Sequence, residues 1–211
     1  MFYINLHQYK TKVIDASQLL KLYSSGERNF SRVNLQQSSL NDLNLAGIKL
    51  WRANLAEINL SRTVLAKSNL VEANLAGSTL WHTNFKQSSM EKAQFTNAML
   101  IRANLAQSNL QQSNFQDADM RLVCLEKADL RGADLSRANL SYANLQSANL
   151  SGANLSNAVL VGACLAGVDL RDTDLSGAIL KGANFSDAIV PLDLLEEIKL
   201  ANKQINKIGN N

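Results

Sequence analysis

The chain has 211 residues, 46% of them hydrophobic, with two cysteines, one proline and 21 basic against 18 acidic side chains, a formal charge of +3. That length supplies ample core for one or two domains without disulfide or metal staples. No apolar run approaches the roughly 18 residues that span a bilayer, and the N-terminus lacks the pattern of a signal peptide. A soluble cytoplasmic protein is therefore expected, with Cys124 and Cys164 as reduced thiols. The pI near 8.9 rests on an excess of three charges and does not by itself point to nucleic acid. Aromatic residues make up 6%, whereas leucine occurs 35 times, an excess that points to a repeat.

Residues 1–27 form the first unit. Phe2-Tyr3-Ile4-Asn5-Leu6-His7 alternates apolar and polar residues as a half-buried strand does, and Thr11 to Ile14 is placed to pair with it. Asp15-Ala16-Ser17-Gln18 reads as a capping box, Ile14 as a staple against Leu19, and Gly26 as the stop of a helix over about Ala16 to Ser24. Leu19, Leu20 and Leu22 of that helix would cover the end of whatever follows.

Residues 28–190 repeat every five. From Phe30 to Phe185, 32 central positions in unbroken register hold 25 Leu, five Phe and two Met (Met90 and Met120). Two residues before each centre stands Ala, Ser or Thr in 25 of the 32, and one residue before it Asn or Asp in 21. Eight of the ten glycines fall two residues after a centre. On an α-helix five residues advance about 140°, scattering the leucines, and in a flat strand they would alternate faces. All centres face one axis only if five residues make one side of a coil and then turn. The implied solenoid alternates one large and one small inward residue per side. Glycine suits a turn needing positive φ, and Asn or Asp is suited to bonding turn backbone groups.

Residues 191–211 make a third unit. Pro191 follows the repeat where it no longer damages a ladder, and Leu194, Ile198, Ala201, Ile205 and Ile208 then form the stripe of an amphipathic helix. Capping of its own last coil by this helix, in a monomer, is the favoured reading; a homodimer seam is the alternative.

Runs such as Ala133-Asp134-Leu135-Ser136-Arg137 and Ala153-Asn154-Leu155-Ser156-Asn157 resemble the A(D/N)LXX motif of the pentapeptide-repeat family, abundant in cyanobacteria. The resemblance covers about residues 28 to 190. It implies an all-β solenoid, a right-handed quadrilateral parallel β-helix with four pentapeptides per coil, here about eight coils and roughly 38 Å long at strand spacing. Val33, Leu43, Ile48 and Ile58 depart from the small-residue position, so the first two coils are expected to be wider or distorted. Phe95 and Phe115, 20 residues apart, are expected to stack.

No constellation for catalysis emerges. The rod holds one histidine, His82, whose neighbours one coil away are Arg62 and Arg102 rather than an orienting acid. Cys124 and Cys164 stand two coils apart, roughly 10 Å, too far for a disulfide. No residues have metal-ligand spacing and no glycine-rich phosphate loop occurs. A non-enzymatic protein without cofactor or metal is expected.

Two candidate protein-binding patches arise from residues 20 apart. One carries Arg62, Trp81, His82, Ile101, Arg102, Arg121 and Leu122; on the opposite side Trp51 stacks with Val71 near Arg32, Lys49, Arg52 and Lys92. The alternative for both tryptophans is that they cover flat apolar sides or pack against terminal elements. Residues 1 to 115 hold 12 basic and six acidic side chains, net +6, and 116 to 211 hold nine and 12, net −3. The expected function is a scaffold or regulatory rod for an unidentified protein partner. The family also implies an alternative, DNA mimicry toward gyrase, but those members are strongly acidic and carry loop insertions, which this repeat lacks. Nucleic-acid binding by the basic half is a third and weaker reading, because flat turns supply no groove-entering element.

Overall fold

In a computed structural model, which describes residues 14–191, the helix α1 (Ala16–Ser24) leads into a continuous four-sided solenoid. Parallel bridges join residues 20 apart from Asn29↔Lys49 to Asp169↔Ile189, so each coil takes four pentapeptides and eight coils stack. The expected strand over residues 2–7, all but Ile14 of the segment Thr11 to Ile14 placed to pair with it, and the helix after Pro191 lie outside the described residues.

In a regular side of the repeat every backbone donor has a partner. Around Leu105, the centre's N–H donates to Cys124 in the next coil (2.7 Å) and the second turn residue, Gln107, to Glu126 there (2.9 Å). Ser108 closes the turn onto Leu105 (3.3 Å), and Asn109 donates down to Ser88 (3.0 Å). That leaves the first turn residue, Ala106, whose N–H donates to the Asn104 side chain (3.0 Å). All 21 Asn and Asp residues before a centre accept the N–H two positions on, from Asn29 with Ser31 to Asn184 with Ser186. An amide shielded from water and left without a partner costs free energy, so this position favours Asn and Asp.

The second turn residue is left-handed whether or not it is glycine: φ is 64–72° at the eight repeat glycines and 53–61° at 23 other residues. Inside, every centre from Phe30 to Leu170 is buried. Phe95 and Phe115 stack as expected, with centroids 4.7 Å apart and planes 6° apart. Phe85 meets Phe95 edge-on at 6.4 Å across the interior. The bulky early residues do not break the ladder: Ile48 and Ile58 are fully buried, and Val64 still donates to Leu43 at 2.8 Å. The distortion expected of the first two coils reaches the backbone at one turn: from Val33 to Ala188, Leu43 is the one residue two before a centre whose N–H does not bond the preceding centre's carbonyl, and its side chain stays partly exposed.

At the start of the rod, α1 is held at both ends. Asp15 accepts the Gln18 N–H at 2.8 Å, while Gly26 and Glu27 donate back to Tyr23 and Leu22 with Gly26 at φ 101°, a Schellman stop. Leu19 is fully buried, Leu20 and Leu22 pack partly buried on the core, and the Tyr23 hydroxyl donates to the Ala46 carbonyl. The helix thus covers the first coil, as the apolar residues required.

Two local exceptions stand out against so regular a pattern. The bridge Asn149↔Asp169 is missing: neither Leu150 nor Asp169 donates its N–H along the ladder, and Gly152 donates to Asp172 instead of Arg171. Asp172 is also the one second-turn residue of the repeat without positive φ, so the Arg171–Asp172 peptide is turned over. The other exception is Ser68, whose buried hydroxyl has no partner, whereas Ser78, Ser88, Ser108 and Ser113 all donate theirs to a centre carbonyl.

Two measurements test these assignments. Hydrogen exchange should show the Leu150 and Asp169 amides exchanging much faster than Leu130 and Leu145; equal protection would mean the ladder is closed there. Ser68→Ala should raise unfolding free energy by about 1 kcal/mol, since it removes a desolvated hydroxyl with no bond to lose; a destabilised variant would refute that assignment.

Candidate protein-binding groove

The turn residues that stack 20 apart bring most of the first predicted patch together. Trp81, His82, Ile101, Arg102, Arg121 and Leu122 line one groove of about 670 Å³, joined by Ser141 and Tyr142. Trp81 is 46% exposed, Leu122 45% and Tyr142 63%, an unusual run of apolar surface on a chain with few aromatics. Tyr142 lies over the next coil: a Cβ at Gly162 would come within 2.6 Å of its ring, so only glycine there leaves the ring its place. Tyr142 and Ser141 were absent from the sequence-derived patch, although they stand one 20-residue step beyond Leu122 and Arg121.

Arg62, by contrast, does not line the groove. Its guanidinium forks onto Asp42 one coil below, with Nη2 2.6 Å from Oδ2. Arg121 does line the groove, but its guanidinium is held by Asp119 at 2.7 and 2.8 Å. The same Asp-x-Arg clasp recurs at Asp129 with Arg131 and Asp169 with Arg171. His82 has no carboxylate partner among the described residues.

On the other side, Trp51 is half-buried. The Arg32 guanidinium lies 4.7 Å and that of Arg52 4.6 Å from its ring centre, and Arg52 also reaches Glu72 at 2.6 Å. Lys92 stands 3.9 Å from Glu91. These groups satisfy one another, so the second predicted patch forms a covered aromatic rather than an open groove. Cys124 and Cys164 are free thiols on one ladder with Asn144 between them. Among the described residues no group of His, Cys, Asp and Glu has the geometry of a metal site, and no helix is long and apolar enough to cross a membrane.

The arginine clasps set the titration of the acids they hold. Hydrogen bonds from the Arg171 side chain, then its backbone N–H, lower the Asp169 carboxyl from 3.8 to about 2. Arginine side-chain bonds likewise lower Asp42, Glu72, Asp117 and Asp129.

Comparison with known proteins agrees with the architecture. The family model described as pentapeptide repeats matches residues 29–66, 44–81, 68–105, 100–137, 133–172 and 169–189, in eight copies overall. No curated protein sequence matches. Among solved structures, HetL, a pentapeptide repeat protein involved in heterocyst differentiation regulation from the cyanobacterium Nostoc sp. strain PCC 7120, is 29% identical over 83% of this chain and 92% of its own, with a TM-score of 0.38. A pentapeptide repeat protein of the Arabidopsis thaliana thylakoid lumen is 35% identical over 50% of this chain and 70% of its own, with a TM-score of 0.36. A trypsin-treated form of QnrB1, a plasmid-mediated fluoroquinolone resistance protein, shares 14% identity over 84% of this chain and 96% of its own at a TM-score of 0.51, a likeness of fold alone.

A carboxyl lowered in the folded state stabilises the fold above its ordinary value and ceases to do so as pH falls through the lowered one. The Asp169 contribution should therefore be intact at pH 5 and lost between about pH 4 and pH 2. A carbon-13 titration of its carboxyl should give a midpoint near 2, and Arg171→Ala should return it toward 3.8; an unchanged midpoint in that variant would remove Arg171 as the cause.

Proposed function

The chain belongs to the pentapeptide-repeat family, whose fold is a right-handed quadrilateral β-helix, and on that footing we propose that it is a non-enzymatic interaction protein that docks a protein partner in the Trp81–Tyr142 groove. The observation that carries this reading is the open apolar run itself. Trp81, Ile101, Leu122 and Tyr142 span four coils with no covering element among the described residues. Tryptophan, tyrosine and arginine are the residues that dominate binding energy at protein interfaces. A rigid, preformed surface also avoids the ordering cost that a flexible loop would incur on binding.

Catalysis is disfavoured because the polar residues are already committed. Each Asn or Asp before a centre is bonded to its own turn, and His82 lacks an orienting acid among the described residues. Reduced Cys124 and Cys164 suit the cytoplasm, which we take as its compartment. DNA mimicry, the role the family offers as an alternative, fits poorly. The N-terminal half carries a net +6, and its acids Asp42 and Glu72 are neutralised by Arg62 and Arg52. A mimic needs uncompensated negative charge along the rod.

Affinity capture from the native cell should yield a partner that wild-type protein and Trp51→Ala retain and Trp81→Ala loses. Retention of every partner by Trp81→Ala would refute the groove as the docking surface. Gyrase supercoiling should be unaffected at micromolar protein; inhibition would favour the DNA-mimic reading instead.

A further inference from the structure

We propose that the groove receives an acidic side chain of the partner protein, held by the Arg102 guanidinium and the backbone N–H groups of Trp81 and Ile101, with apolar side chains of the same segment packing on either side. This rests on the protein-binding reading above and specifies what is bound.

The first observation concerns the nine arginines, all within the described residues. Arg52, Arg62, Arg121, Arg131, Arg137 and Arg171 each hold a carboxylate. Arg28 bonds the Tyr23 and Glu27 carbonyls, and Arg32 lies over Trp51. Arg102 alone has neither carboxylate, carbonyl nor ring among the described residues. The reason is its place in the stack: the residues one coil away are His82 and Leu122, where Arg62 has Asp42 and Arg137 has Asp117. The one guanidinium without a partner among the described residues thus lies in the middle of the groove lined by Trp81, Ile101, Leu122 and Tyr142.

The second observation is independent of the first. The N–H of the first turn residue is normally bonded by the Asn or Asp two positions earlier, but Trp81 follows Thr79 and Ile101 follows Met99. Neither amide has an acceptor among the described residues, whereas those of Arg121 and Ser141, further along the groove, are bonded by Asp119 and Asn139. Elsewhere that acceptor is a side chain on the outside of the rod, so these two donors face outward, one coil apart and beside Arg102. A carboxylate oxygen supplies what all three groups lack.

The spacing sets the form of the segment. Trp81 and Tyr142 are three coil steps apart, about 14 Å at strand spacing, which an extended chain covers in about four residues. Residues at i, i+2 and i+4 point the same way, so the segment should read apolar, any residue, Asp or Glu, any residue, apolar. The two apolar side chains would meet Trp81 at one end and Leu122 with Tyr142 at the other.

The test uses a displayed library of random decapeptides selected on the full chain, with the recovered peptides remade and measured by fluorescence anisotropy. Recovered sequences should place an acid two residues from an apolar residue on each side, and binding should weaken with salt. Arg102→Gln, a residue already found at the same turn position at Gln87 and Gln107, should weaken binding about tenfold, the loss of one charge-assisted bond. Thr79→Asn with Met99→Asn should weaken it too, while raising thermal stability, because each new side chain takes up the amide that the ligand would otherwise bond. Trp81→Ala should abolish binding. Peptides lost with Trp81→Ala but indifferent to Arg102→Gln and to the double Asn variant would overturn the acid site and leave the groove standing. No recovered peptide, or binding indifferent to Trp81→Ala, would overturn both. Single-stranded DNA bound through Arg102 in place of any peptide would overturn both as well.

Discussion

In every side of five residues one amide, that of the first turn residue, has no carbonyl to bond, and in 21 of the 32 sides an Asn or Asp side chain bonds it. Four of the five N–H groups of a regular pentapeptide bond within the ladder or across the turn, as around Leu105, but the first turn residue points away from every carbonyl. The Asn or Asp two positions earlier reaches it, which fixes that residue's side-chain direction and, through it, the turn. At every turn but that of Asp172 the next residue is left-handed, at a cost of roughly 1 kcal/mol for a residue other than glycine. Twenty-three such residues tolerate that conformation because each also donates into, or stands within, a ladder that the coils above and below hold in place. Register, the fully buried leucines and the stacking of like residues at 20-residue intervals all depend on this closure.

Much of this was legible because each of the five positions has its own chemistry. The centres, the small residues beside them, the turn acceptors and the helix over Ala16–Ser24 between Asp15 and Gly26 could be read from residue type and spacing. The gap between Asn149 and Asp169 could not. Asp169-Leu170-Arg171-Asp172 has almost the composition of Asp129-Leu130-Arg131-Gly132, and the two differ in the orientation of one peptide. Composition is indifferent to such a change, since both turns satisfy the same Asp-x-Arg clasp.

The groove was legible only in part, for a related reason. Stacking at 20 predicts which residues are neighbours but not which neighbour a long side chain chooses. Arg62 has His82 above and Asp42 below and turns down to the acid, leaving the groove. Arg121 has no acid one coil away in its own stack and folds back on Asp119 within its own turn. Arg32 and Arg52 converge on Trp51, which removes that tryptophan from the open surface. The excess of basic charge in the N-terminal half is therefore a poor guide to free cations, because short-range pairing decides where a charge is available.

In a solenoid the repeat is the part that carries no specific message, since any residue that obeys it is spent on the fold. Information about a partner must reside in the departures. Eleven of the 32 turns lack an Asn or Asp acceptor, and four of the five large apolar first-turn residues, Trp51, Trp81, Ile101 and Val161, fall among those eleven. At Trp51 the amide is equally unbonded, but two guanidinium groups cover the ring. At Trp81 and Ile101 the side chains stay in an open groove, and the same two turns flank the uncommitted Arg102. An open apolar surface, two donors without a protein acceptor and an unpaired cation coincide on adjacent coils, and one ligand, an acid between apolar residues, complements all three.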